Sequence, residues 1–145
     1  MKITLLLLSL SLVYSTQTLA ANCAIEYLSP SPDVRKTFSA LVKPEEIKNY
    51  DQICQQLQAH NAMLCLNGRM NNLKNNTAYA WASASVGDLK TGLCSTASSG
   101  SNTVVLGKNF PEEVLQQELY QTILYAIEGI HFKKALKSLD QKRNR

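Results

Sequence analysis

The clearest pattern along this chain has a period of two. From Thr77 to Val86, the small apolar residues Ala78, Ala80, Ala82, Ala84 and Val86 alternate with Thr77, Tyr79, Trp81, Ser83 and Ser85. Successive side chains of a strand point to opposite faces, so the alternation predicts a strand with one face almost wholly alanine and the other carrying two large aromatics. A helix is the competing reading of so many alanines, but it would scatter both rings around its axis.

Periods of three and four dominate elsewhere. Ser29 to Pro32 holds two prolines and two serines and leads into a first helix, capped by Ser31 with Pro32 in its first position, or else by Asp33. That helix runs to about Leu41 with Val34, Phe38 and Leu41 on one face. A second helix is expected from Pro44, where Glu45 and Glu46 suit the positive end of its dipole. Ile47, Tyr50, Cys54 and Leu57 form its buried stripe, and it ends near His60. The longest stripe, Val114, Leu115, Leu119, Ile123, Ile127 and Ile130, predicts a long C-terminal helix, with Asn109 and Glu112 arranged as a cap around Pro111. Gly129 interrupts this helix at a cost of about 1 kcal/mol relative to alanine unless close packing requires it. Lys133, Lys134 and Lys137 suit the negative end of the same dipole.

Between these helices lie shorter apolar runs. Ala62 to Leu66 reads as a strand, Arg69 to Asn76 as an asparagine-rich loop, Leu93 to Ala97 and Thr103 to Leu106 as further strands, and Ser98 to Asn102 as a turn. The fold class expected is therefore α+β: a small antiparallel sheet of three to four strands with helices packed on one face, ending in a long helix. The alanine face would admit a helix closely.

The first residues change the picture of where this domain works. Lys2, the apolar run from Ile3 to Val13, a polar stretch and the small residues Ala20 and Ala21 make a secretory signal, too short to span a bilayer comfortably. Thr18 and Ala20 suit a cut before Ala21. A lipid-modified Cys23 is disfavoured, because Asn22 and Ala20 stand where a small and an apolar residue are needed. The division expected is a leader over 1–20, a single domain over 21–139, and a basic tail over 140–145. About 125 residues suit one core. The net charge of +4 gathers at the C-terminal end, in Lys133, Lys134, Lys137, Lys142, Arg143 and Arg145. That tail is short and lacks aromatics, so it reads as a solvated end and no nucleic-acid partner is expected.

Four cysteines, Cys23, Cys54, Cys65 and Cys94, in an oxidising compartment imply two disulfides. Cys54 lies about 9 Å back along its helix from the turn at His60. Cys65 lies about 13 Å along the returning strand, a similar height. That favours Cys54 with Cys65 and leaves Cys23 with Cys94. A metal site would want closely spaced cysteine pairs, and none exists in the chain.

A search for chemistry finds little. Ser99-Gly100-Ser101 lacks the glycine spacing of a nucleophile elbow. His60 and His131 could activate a thiol, but an even cysteine count leaves none spare. Glu45, Glu46, Glu112 and Glu113 are explained as first-turn helix charges, and Asn75-Asn76-Thr77 as a chance glycosylation pattern. What remains is the aromatic face of the Thr77 strand. Tyr79, Trp81 and Ser83 are the candidate binding residues, for interfaces favour aromatic anchors, unless another segment folds over them. The reading reached is a small exported binding protein, periplasmic or secreted, of inhibitor, immunity or accessory type. It needs no cofactor or metal, and its partner is another protein. The alternative is an exported hydrolase or effector using a histidine with a cysteine or carboxylate. Oligomeric state is left open.

Overall fold

A computed structural model describes residues 23–41, 43–95 and 98–144. The expected leader and its cleavage site lie outside these residues. The elements are strand β1 (Tyr27–Leu28), helix α1 (Pro32–Leu41), helix α2 (Tyr50–Ala59), strands β2 (Ala62–Asn72), β3 (Ala78–Asp88) and β4 (Gly100–Leu106), and helices α3 (Glu112–Glu128) and α4 (Phe132–Arg143). The strands form one sheet in the order β1-β2-β3-β4. The fold is α+β, with the helices on one face of the sheet. The sheet is mixed rather than purely antiparallel, because two residues before α1 pair parallel to β2, Tyr27 beside Leu64 and Leu28 beside Cys65.

Alternation along β3 decides the layering. Ala80, Ala82, Ala84 and Val86 are buried in one cluster with Leu64 and Leu66 of β2 and with apolar residues of all four helices. Small side chains on β3 let α3 lie close, and glycines sharpen the approach at two places. Gly68 faces α1, where an added Cβ would lie 3.2 Å from Val34 Cγ2. Gly100 opens β4 directly beneath the end of α3. A methyl group there would strike the Ala126 carbonyl, and one on Gly129 would lie 3.0 Å from Gly100 Cα.

That contact explains Gly129 and corrects the expectation of one long C-terminal helix. The stripe from Leu115 to Ile127 is helical as expected, but the helix stops with Gly129 at its C-cap and restarts at Phe132. His131 and the lysines after it therefore stand at the start of α4 rather than at a helix C-terminus. The expected cap at Asn109 is also not formed: Pro111 precedes the first turn with no side-chain cap, and Glu112 pairs with Lys36 of α1. Ser31 does cap α1, accepting from the Val34 N–H at 3.3 Å.

Three asparagines take left-handed conformations, Asn49, Asn61 and Asn76, with φ of 60°, 46° and 60°. Asparagine tolerates this region better than other side chains do. Each marks a break: Asn49 separates a short 3-10 turn (Pro44–Glu46) from α2, Asn61 reverses the chain from α2 into β2, and Asn76 turns β2 into β3. The second helix thus begins at Tyr50, not Pro44. β2 runs to Asn72, through residues read as loop, because Asn71 and Asn72 keep register with Tyr79 and Ala78. Of the expected strand at Leu93 to Ala97, only a single bridge from Cys94 to Gly87 forms, and Thr96 and Ala97 lie outside the described residues. Gly100 to Asn102 belong to β4 rather than to a turn.

The cysteine pairing also differs from the expected one. Cys23 joins Cys54, and Cys65 joins Cys94. Height along the chain had matched Cys54 to Cys65, but side decides. Leu64 and Leu66 point to the helices, so Cys65 between them points away from α2. There it meets Cys94, which the bridge to Gly87 holds next to it. Cys23 sits instead by α2, its carbonyl accepting from the Tyr50 hydroxyl at 3.0 Å.

Candidate interaction surface

The face of the sheet turned away from the helices is a grid of three strands. Asn67, Ser83 and Ser101 form one row, Arg69, Trp81 and Thr103 the next, and Asn71, Tyr79 and Val105 the third. Tyr79, Trp81 and Ser83 are half-buried here and Val105 is 70% exposed. The backbone places both rings on the same side of β3, two residues apart, where the pleat sets them side by side. Ser85, next in that row, is buried opposite Cys65. Arg69 is the only charged residue among the nine.

One margin of this grid is built by the N-terminus of α1. Beyond the short β1, the edge of β2 is met by side chains: the Ser31 hydroxyl donates to the Gly68 carbonyl at 2.6 Å, and Asp33 Oδ2 accepts from the Met70 N–H at 3.3 Å. A cavity of about 450 Å³ lies between this margin and Trp81, with Asn67, Arg69 and Asn71 in its lining.

At the far end of β3 a larger cavity, about 930 Å³, is lined by Leu89, Leu93, Lys90, Leu139 and Lys142 with the Asp88–Arg143 pair. Arg143, assigned by sequence to a solvated tail, lies in α4 and is an organising residue. Its Nε donates to Asp88 Oδ2 at 2.8 Å, Nη2 donates to the Asn61 carbonyl at 2.7 Å, and Nη1 donates to the His60 carbonyl. The guanidinium, helped by the N–H groups of Lys90 and Thr91, holds the Asp88 carboxyl down to about 2 against the opposing effect of burial. Asp140 accepts from the same Arg143 at 3.3 Å and lies 2.6 Å from His60 Nδ1.

His60 thus meets a carboxylate, and the contact ties α2 to α4. All four cysteines are bridged, so no thiol is free to pair with either histidine. His131 is exposed, and among the described residues no carboxylate pairs with it. No group of three or more His, Cys, Asp or Glu side chains that could hold a metal occurs among the described residues. No helix among them is long and apolar enough to cross a membrane.

Tyr79, Trp81 and Ser83 share one face, as the strong period two of β3 predicted. Sequence reading missed Arg143, Asp88 and the Ser31–Asp33 margin, whose roles come from chain segments more than thirty residues apart. Compared with models of known protein families and with curated proteins, the chain matches none.

Proposed function

We propose that this chain is a small exported binding protein, of inhibitor, immunity or accessory type, that engages another protein through the open face of its sheet. The observation that carries this reading is the pair of aromatic rings, Tyr79 and Trp81, on the β-layer face turned away from the described helices. Neighbouring groups are nearly all uncharged, which suits the centre of a protein interface, where charge is depleted and aromatics are enriched. Two disulfides, one of them anchored in β2, brace the fold beforehand, lowering the ordering cost of association. They also fit an oxidising compartment, as does the leader pattern at Lys2 to Ala20.

The test is affinity capture from the native envelope, followed by measured binding of the captured protein to variants. Trp81→Ala and Tyr79→Ala should each weaken binding by about thirtyfold, the effect of losing an interface anchor, with the melting temperature little changed. A captured partner that binds the double alanine variant as tightly as the parent would overturn the reading.

A further inference from the structure

We propose that two copies of this chain pair through the free edge of β4, antiparallel about a two-fold axis at Thr103, with α3 packing against α3 beside it. This does not rest on the partner proposed above.

β4 is the last strand of the sheet, and its seven residues, Gly100 to Leu106, contain no charge and no proline. Such an edge carries none of the charged or proline residues that usually keep strands from pairing with another chain. Among the described residues, α3 is the helix that packs on β4. Tyr120 is 1% exposed and faces the α1 side, where its hydroxyl donates to Glu46 and accepts from the Lys43 N–H at 3.4 Å. At about 100° per residue, Val114 and Tyr125 lie roughly 120–140° around the helix from Tyr120, on the flank above the β4 edge. They are 39% and 58% exposed.

The two layers share one centre. Gly100 lies under Ala126 and Gly129. Thr103 is about 10 Å further along β4. Ten ångströms back along α3 is between six and seven residues, close to residue 120. The midpoint of Val114 and Tyr125 falls between residues 119 and 120. An axis through Thr103 therefore sets Val114 of one copy against Tyr125 of the other, twice. Glu118 then meets Gln121 of the second copy, and Lys108 meets Ser98. A lone strand from another protein would satisfy the edge of β4 but leave the α3 flank bare. A second copy covers both, and this selects it as the occupant.

The experiment is sedimentation equilibrium of the oxidised protein, with variants Val114→Lys, Tyr125→Glu and the double substitution. Each single change should weaken dimerisation by about tenfold or more. The double variant should recover to within about threefold of the parent, because lysine of one copy then faces glutamate of the other. Within one chain the two positions stand about 16 Å apart along the helix and cannot compensate each other. Hydrogen exchange needs no variant: amides of β4 should gain protection as the protein is concentrated. A parent that stays monomeric to about millimolar concentration, a double variant no better than the singles, or β4 exchange independent of concentration would each overturn the proposal.

Discussion

The two faces of β3 are made by the same eleven residues, yet they follow opposite rules. On the helix side every side chain from Ala78 to Val86 is small and buried, because α3 and α4 come so close that volume is the limiting quantity. On the other side the large rings of Tyr79 and Trp81 stand half-buried, with the N-terminus of α1 at the margin beside Trp81. One face specifies the fold by what it omits; the other is free to carry bulk. Tolerance to substitution should therefore alternate with the pleat from Ala78 to Ala84.

The sharpest way to break this contrast is at Gly100, where β4 meets the end of α3. Gly100→Ala should cost about 3 kcal/mol in urea unfolding, since its methyl group meets backbone rather than a movable side chain. Ala82→Leu, on the helix side of β3, should cost about 1–3 kcal/mol by overpacking. If it is neutral, the close approach of the helices is not what holds that face.

A milder test concerns the polar tie at the rim of the core. Burial, and then the hydrogen bond donated to Glu46, push the Tyr120 phenol up to about 12. A raised folded value means the stabilisation is complete below the unfolded value near 10 and is lost as pH rises toward 12. Tyr120→Phe should cost about 1 kcal/mol at neutral pH and should flatten that alkaline loss. Smallest of all is Ser83→Leu, next to Ala82 but on the open side. Its effect should stay within about 0.5 kcal/mol. An effect as large as that of Ala82→Leu would erase the distinction between the faces.

Much of the helix side could be read in advance, for the stripes of α1, α2 and α3 and the alternation of β3 are local patterns imposed by burial. Gly129 announced a packing constraint, but the sequence could not say that Gly100 was its partner, so the helix break went unforeseen. The cysteines failed for a related reason. Distances along a helix and a strand gave Cys54 and Cys65 equal heights, whereas the parity of Leu64, Cys65 and Leu66 turned the second sulfur to the opposite face. Residues of the open face were visible for the same reason as the core: Tyr79 and Trp81 were the odd members of a regular alternation. Arg143 had no such signature. A single arginine in a basic run looks solvated until the fold delivers Asp88 and the carbonyls of His60 and Asn61 to it.

The crosslinks are consecutive, first with second and third with fourth, spanning 31 and 29 residues. Were the chain threaded amino-terminus first into an oxidising space, as the proposed export implies, Cys23 and Cys54 would emerge before the other two thiols. Oxidising each pair in order of arrival then produces the native set with no reshuffling, so assembly of this molecule should proceed without an isomerase.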